Sequence, residues 1–196
     1  MKQREDMGAM EEIEMQQTQD VQVRIRQANG ENDVPEVSRL FNNYRIFYGQ
    51  HSDLEGARCF IQERFRKEES IIFIAELGDA GEGTSAEAGS ISRYCGESQM
   101  RAAGFVQIYP SFSSVSMGPI WVLNDLYVDS DYRKQGIARK LLQAVAGEAK
   151  ERQIIRITLS TAVSNLQAQA LYESEAYTQD QSFMYYERSV HSGDEA

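Results

Sequence analysis

The sequence predicts one α+β domain, with a mixed but mostly antiparallel central sheet of about six or seven strands and helices on both faces. The chain has 196 residues, of which 41% are hydrophobic, and this is enough to bury one core. Short apolar runs typical of strands alternate irregularly with longer runs that have helical spacing. Their order is strand, two helices, three strands, helix, strand, helix, strand. That order departs from the strict alternation of a doubly wound parallel fold.

The predicted domain covers residues 21–190 and begins with a strand. Residues 1–20 are rich in Met, Gln and Glu and poor in large apolar side chains, so we expect a disordered acidic extension there. The first strand is predicted at 21–27, where valine and isoleucine alternate with polar residues. Residues 191–196 are expected to form a short tail.

Two helices are predicted next. Asp33 has the chemistry of a helix N-cap, and Pro35 and Glu36 follow it at positions expected early in a helix. The second helix is predicted from about Leu54 to Lys67, with apolar residues at helical spacing on its inner face.

The middle of the chain is predicted to supply three strands, with a long loop after the first of them. Residues 70–77 form a short, β-branched and largely apolar run, which is typical of a buried strand. Residues 78–100 turn to Gly, Ser, Ala and acidic residues, so we expect a flexible insert between two strands. Strand character resumes at 102–110 and returns at 120–128.

The last part of the chain is predicted as helix, strand, helix and strand. A long amphipathic helix starts near Gln135 and runs to about Arg152, and a strand follows at 154–160. A further helix is predicted at 165–176 and a final, aromatic-rich strand at 182–190.

Composition argues against several classes of protein. The formal charge of −10 argues against a protein that binds nucleic acid. Most of this net negative charge lies in 1–20, in 79–100 and at the C-terminus. No run approaches the roughly 20 apolar residues of a membrane span, and the N-terminus lacks the apolar stretch of a signal peptide. A cytoplasmic location is therefore expected. Cys59 and Cys95 have neither metal-site nor disulfide spacing, and no metal is expected.

The most informative stretch is 124–142, NDLYVDSDYRKQGIARKLL. A strand ends at Val128, an acidic turn follows, and a helix opens near Gln135. The first turn of a helix presents unpaired backbone N–H groups and partial positive charge, so a pyrophosphate is a suitable ligand there. Gly136 would let an oxygen approach the main chain closely. The alternative is that Gly136 is only a turn glycine before an amphipathic helix.

This stretch resembles the acetyl-CoA-binding segment of Gcn5-related N-acetyltransferases, whose signature is Arg/Gln-x-x-Gly-x-Gly/Ala after a strand. The matching residues are Arg133, Gly136 and Ala138. Downstream, NLQAQALYE at 165–173 resembles the family's Asn-x-x-Ala-x-x-Leu-Tyr-Glu. The resemblance covers about residues 103–189 and implies the acyl-CoA N-acyltransferase fold. One departure is Ala176-Tyr177, where the family usually has Gly-Phe.

The resemblance implies acetyl-CoA as the co-substrate and assigns residues to it. The pyrophosphate would bind at the start of the helix, to Arg133, Lys134, Gln135, Gly136, Ile137 and Ala138. The pantetheine arm would pair, like an added strand, with the backbone of Leu126, Tyr127 and Val128. Asn165 would contact the same arm, and its alternative role is the N-cap of the last helix.

The catalytic residues that the resemblance implies are Tyr172 and Asn124. Tyr172 matches the family's tyrosine acid, which would protonate the departing thiolate; the alternative is an aromatic packed on the sheet. Many relatives carry Glu where this chain has Asn124, and Asn can hold a water or the amine but cannot accept a proton. The base is left open. Asp125 is adjacent but could point away from the acceptor, and a water relay or a neutral amine would remove the need for a strong base.

The acceptor side is predicted from the first helix, where Tyr44, Arg45 and Tyr48 lie in the cluster YRIFY. These side chains would contact a small-molecule primary amine, or form an amphipathic helix end with Arg45 solvated. The predicted function is direct transfer of an acetyl group from acetyl-CoA to that amine in a ternary complex. Two alternatives are a protein N-terminal or lysine acetyltransferase and a non-catalytic acyl-CoA-binding regulatory domain. Members of the family often pair, so the resemblance also allows a homodimer.

Overall fold

The computed structural model describes residues 22–78 and 100–190, and its elements follow the predicted order up to the last helix. The strands are β1 Val23–Gln27, β2 Ile71–Leu77, β3 Arg101–Ser113, β4 Gly118–Val128 and β5 Arg156–Leu159. The helices are α1 Gly30–Phe47, α2 Leu54–Arg66, α3 Ile137–Glu151 and α4 Leu166–Ser174, with one 3-10 turn at Ser130–Tyr132. The predicted extension at 1–20, the tail at 191–196 and most of the insert at 78–100 lie outside the described residues.

The five strands form one sheet in chain order, β1-β2-β3-β4-β5. β1 to β4 pair antiparallel, and β5 joins β4 in parallel. A parallel pair needs a crossover connection, which α3 supplies between β4 and β5. The predicted mixed, mostly antiparallel α+β architecture is confirmed.

Helices cover both faces of the sheet, so the central strands bury side chains on each side. The core under α3 includes Val106, Trp121, Leu141 and Val145. The core under α1 and α2 includes Leu40, Phe41, Ile61 and Phe105. Neighbouring residues of β3 therefore face opposite cores, as the pleat of a strand requires. Within the described ranges, no helix is long and apolar enough to cross a membrane.

The first helix begins at Gly30, three residues before the predicted N-cap Asp33. Asn29 holds the N-cap position, and its backbone N–H donates to the Asp33 carboxylate at 2.6 Å. The same carboxylate takes two hydrogen bonds from Arg26, which also bonds Glu76, and these bonds hold the pKa of Asp33 below its usual value. The N-cap prediction was wrong because Asp33 lies inside the first turn of α1, where Arg26 of β1 holds its carboxylate.

The described sheet ends at β5, and the strand predicted at 182–190 has no sheet partner among the described residues. The side chains of Phe183 and Tyr186 are 76% and 88% exposed. Aromatic composition favours a strand, but a strand forms only against a neighbour whose backbone groups it can bond. The described part of the chain therefore has five strands, fewer than the six or seven predicted.

The α3 face provides a test of the core. Leu141 is completely buried, whereas its neighbour Lys140 is exposed. Leu141→Ala is expected to lower the free energy of unfolding by about 2–5 kcal/mol, because it removes buried methyl groups and leaves a cavity. Lys140→Ala should change it by less than about 0.5 kcal/mol. Urea denaturation followed by circular dichroism measures both values, and equal losses would contradict the packing of α3 on the sheet.

Candidate active site

A β-bulge in β4 sets the geometry of the site. Gln107 on β3 lies opposite Asp125, and the next residue, Ile108, lies opposite Leu123, so Asn124 has no partner on β3. The extra residue changes which face the following side chains occupy. Leu123 packs in the α3 core, whereas Asp125 lies on the α1 side, where it meets a tyrosine of α1. Asn124 itself is exposed.

Asp125 is the buried acid of the site and is only 3% exposed. Its carboxylate accepts hydrogen bonds from the Tyr44 hydroxyl and from Asn124 Nδ2, the latter at 3.2 Å. Burial raises the pKa of Asp125 above its usual value, and the two hydrogen bonds oppose that rise. No Lys, Arg or His of the described residues forms an ion pair with it. Asp125 therefore holds a proton more tightly than an ordinary aspartic acid.

Tyrosines from separate elements interact with Tyr44, the tyrosine that bonds this acid. The rings of Tyr44 and Tyr48 on α1 have centroids 4.9 Å apart. Tyr172 on α4 interacts electrostatically with both of them. Burial is the main cause that raises the pKa of Tyr44 and of Tyr172, so both hydroxyls keep their protons at neutral pH. The structure thus brings the predicted acid Tyr172 to the predicted acceptor residues Tyr44 and Tyr48.

The second half of β4 has an open edge. β5 pairs only with residues Ile120 to Leu123, and residues 125–128 have β3 on one side and no described strand on the other. Leu126, Tyr127 and Val128, the residues predicted to meet the pantetheine arm, lie on this edge. Their side chains also pack in the two cores, Leu126 and Val128 towards α3 and Tyr127 towards α1. These side chains therefore pack in the cores while the backbone edge on which they lie has no described strand paired with it.

The start of α3 forms an open turn of backbone. Gly136 is the N-cap with a φ of 74°, which other residues rarely adopt, and, apart from its chain neighbours, no described residue comes within 4 Å of where its Cβ would be. Ile137 is buried beneath the turn. Exposed or half-buried side chains surround it: Arg133, Lys134, Gln135 and Ala138. The unpaired N–H groups of the first helical turn face this space, as an anion site requires.

Arg133 is folded back from that turn towards α1. Its Nε donates to the Val128 carbonyl at 3.1 Å, and its guanidinium lies 5.2 Å from the ring centroid of Phe47 and 5.7 Å from that of Tyr127. The side chain therefore holds the open end of β4 beside the last turn of α1. This hydrogen bond occupies the Val128 carbonyl oxygen at the open edge of β4.

The structure does not link the predicted residues Asn165 and Arg45 to the tyrosine cluster. Asn165 is the N-cap of α4, and its Oδ1 accepts the Ala168 backbone N–H at 3.2 Å, which is the alternative role predicted for it. Arg45 is half-buried in the last turn of α1, where a cation suits the helix dipole, and it makes no side-chain hydrogen bond or ion pair within the described ranges.

Sequence reasoning missed Gln107 and Tyr109 and left the direction of Asp125 open. Burial, followed by the charge of Asp125, raises the pKa of Tyr109 to about 12, so this β3 residue also belongs to the cluster. The available signal was the presence of Gln107 and Asp125 inside otherwise apolar strands, since buried polar side chains need a specific reason. In the part of the chain that the structure describes, no group of three or more His, Cys, Asp or Glu could hold a metal ion.

Comparisons with known proteins agree on one family. The model of the acetyltransferase (GNAT) family matches residues 39–176. The uncharacterized N-acetyltransferase YhfO of Bacillus subtilis (strain 168) is 38% identical over 164 residues, which cover 84% of this chain and 95% of YhfO. The crystal structure of a probable acetyltransferase is 36% identical, with a TM-score of 0.69 over 87% of this chain and 99% of that chain. The aminoglycoside N-acetyltransferase AAC(6')-Iy in complex with CoA shares the fold at 15% identity, with a TM-score of 0.62 over 86% of this chain and 95% of that chain.

The raised pKa of Asp125 predicts a pH-dependent cost to stability. The folded protein binds this proton more tightly than the unfolded chain, so stability is lost as the pH rises from the unfolded value, about 3.9, through the folded pKa. Asp125→Asn cannot ionise. We expect it to have a higher melting temperature than the wild type at pH 8, with the difference vanishing at pH 3. Calorimetric scans across this range, with Asp131→Asn as an exposed control, measure the effect; a difference that is independent of pH would contradict the raised pKa.

Proposed function

The chain belongs to the GNAT family of acetyltransferases, and we propose that it moves an acetyl group from acetyl-CoA to a primary amine of a small molecule. The observation that carries this proposal is the electrostatic interaction of Tyr172 with Tyr44 and Tyr48 close to the β4 bulge. These residues come from the last and the first helices. The open edge of β4 leads from the same bulge towards the start of α3. One continuous site can therefore receive a thioester arm from one side and an acceptor from the other.

Acetyl-CoA is proposed to follow that edge. Its pyrophosphate would accept hydrogen bonds from backbone N–H groups at Gly136 to Ala138, with Lys134 and Arg133 adding positive charge. Once Arg133 leaves the Val128 carbonyl, that group and its neighbours are free to pair with the amides of the pantetheine arm. The thioester then arrives at Asn124, where the bulge exposes the strand.

The transfer requires few groups. The amine nitrogen attacks the thioester carbonyl and forms the C–N bond as the C–S bond breaks. The nitrogen gives up a proton, and the Tyr172 hydroxyl gives its own proton to the departing thiolate. The raised pKa of Tyr172 keeps it protonated until then. We propose that the backbone N–H near Leu126 donates to the oxyanion, and that the exposed Asn124 amide orients the amine.

A small amine suits this acceptor side better than a polypeptide. The faces of tyrosine rings can hold a compact cation. The CoA-bound neighbour is by its name an aminoglycoside N-acetyltransferase, and this supports a small amine as acceptor. We propose a cytoplasmic location, because acetyl-CoA is an intracellular substrate. A protein acetyltransferase and a non-catalytic acyl-CoA-binding domain are the alternatives that the experiments below separate.

Calorimetric titration with acetyl-CoA tests the proposed pyrophosphate site at the start of α3. The wild type is expected to bind with micromolar affinity, about −8 kcal/mol, and Gly136→Glu to bind at least about 100-fold more weakly, because it places a carboxylate where the pyrophosphate would lie. Gly30→Glu is the matched control, since Gly30 also has a positive φ with open space around it but begins α1. No binding by the wild type, or equal binding by the two variants, would overturn the assignment.

Measurements of turnover test the proposed role of Tyr172 as the general acid. Thiol release from acetyl-CoA should be measured with an aminoglycoside, a polyamine, an aromatic monoamine and a peptide with a free amino terminus, and products identified by mass spectrometry. Tyr172→Phe is expected to lower kcat by about 10²–10⁴-fold with acetyl-CoA affinity unchanged, because the thiolate loses its proton donor. Tyr186→Phe, which alters a side chain that is 88% exposed, should leave kcat unchanged. Acetylation of the peptide alone would favour a protein acceptor, and no turnover with any amine would favour the binding domain.

A further inference from the structure

The proposed transfer needs a base for the amine, and the residue at the usual acidic position is Asn124. The nearest acid, Asp125, is 3% exposed and has no cationic partner among the described residues. An unpaired charge inside a protein is costly, so a carboxylate in such a place is expected either to be protonated or to take part in catalysis. An acceptor amine in solvent cannot touch it directly. A further group must connect the two.

Tyr44 is placed to make that connection. Its hydroxyl donates to the Asp125 carboxylate, while its ring is only half-buried and touches that of Tyr48, which is 51% exposed. Tyr172, the proposed acid, interacts electrostatically with Tyr44. The Tyr44 hydroxyl therefore lies between the buried acid and the side from which the acceptor would enter.

Gln107 provides the second observation. It is fully buried and lies directly opposite Asp125 in the ladder, where facing Cβ atoms are about 4.5–5.5 Å apart. Its Nε2 donates to Ser70 Oγ at 2.8 Å, but its Oε1 has no hydrogen-bond partner in the described structure. A lone acceptor beside an ionised carboxylate stays unsatisfied, whereas a protonated carboxyl group can donate to it. Gln107 is therefore suited to stabilise the protonated form of Asp125.

We infer that the base of the proposed transfer is a relay, in which the Tyr44 hydroxyl takes a proton from the acceptor amine while passing its own to the Asp125 carboxylate, and Gln107 Oε1 accepts a hydrogen bond from the acid so formed. This inference rests on the proposed function. The nitrogen lone pair forms the C–N bond as the C–S bond breaks, and the thiolate takes the Tyr172 proton. Asp125 then returns its proton through Tyr44, and Tyr172 recovers one from solvent. The relay makes Tyr44 and Asp125 catalytic and Gln107 a positioning residue.

The titratable groups that interact directly with the relay are tyrosines. Among the described residues, those that interact with it are Tyr48 on α1, Tyr109 on β3, Tyr127 on β4 and Tyr172 on α4. Beyond Tyr109 lie Arg64 and Glu69, which form an ion pair with each other at 2.8 Å. The pKa values of Tyr44, Tyr109 and Tyr172 are all raised, so these hydroxyls keep their protons over the range in which Asp125 titrates.

The first experiment titrates the Asp125 carboxyl carbon by NMR in protein labelled with ¹³C-aspartate, with the signal assigned by its loss in Asp125→Asn. Gln107→Leu is expected to lower the pKa of Asp125, because the protonated form loses its acceptor. Gln107→Glu is expected to raise it, because a second carboxylate opposes ionisation. Ser70→Ala removes only the far hydrogen bond of Gln107 and should leave the titration unchanged. A rise in Gln107→Leu would mean that the amide donates to the carboxylate, and it would overturn the role of Gln107.

The second experiment measures kcat against pH with whichever amine of the panel is acetylated. The wild-type profile should fall on its acid side at the Asp125 pKa, and the fall should move with the Gln107 variants. Tyr44→Phe is expected to lower kcat about 100-fold or more with acetyl-CoA affinity unchanged, because the relay is cut. If Tyr44→Phe keeps the wild-type kcat and the same fall of kcat at low pH, the relay is refuted, and the proposed acetyl transfer still stands. If no amine is acetylated, the proposed function fails, and the NMR titration still decides whether Gln107 stabilises the protonated acid.

Discussion

The pairing of β3 with β4 is the constraint on which the rest of the molecule depends. This ladder runs from Gly104 opposite Val128 to Ser113 opposite Gly118, and side chains from both strands enter both cores. The two strands approach so closely that a Cβ on Gly104 would lie 2.7 Å from the Tyr127 carbonyl oxygen, a distance that only glycine permits. One irregularity is set into this tight ladder, and the chemistry of the site gathers around it.

The helix that faces the irregularity is attached to the sheet by two arginines. Arg26 on β1 joins Asp33 at the start of α1 to Glu76 on β2. Further along α1, Arg39 pairs with Asp129 at 3.0 Å and donates to the Ala102 carbonyl at 2.7 Å, which fixes the helix to β3 and to the end of β4. Charge-assisted bonds of this kind hold a helix in register as well as in contact. The tyrosines of α1 are therefore presented to β4 from a rigid support.

Features that depend on near neighbours in the chain could be predicted from the sequence. Gly136 at the start of α3 and Asn165 at the start of α4 are such features, since turn and cap chemistry is local. Features that depend on distant partners could not. Asp33 is a residue type that often caps helices, but its carboxylate accepts hydrogen bonds from Arg26 of β1 instead. The aromatic run that begins at Phe183 has no described strand to pair with. The direction of Asp125 depends on a single unpaired residue, and the period of a strand carries no sign of it.

The bulge has a form that suggests how such a site can arise. If Asn124 were removed, Leu123 and Asp125 would become consecutive residues opposite Ile108 and Gln107, and every later pair of the ladder would keep its present partner. Both cores would be unchanged, because each side chain would remain on the face that it now occupies. In evolutionary terms, Asn124 is equivalent to the insertion of one codon into a regular hairpin. The exposed kink could thus be gained or lost in lineages of this fold without a redesign of its interior.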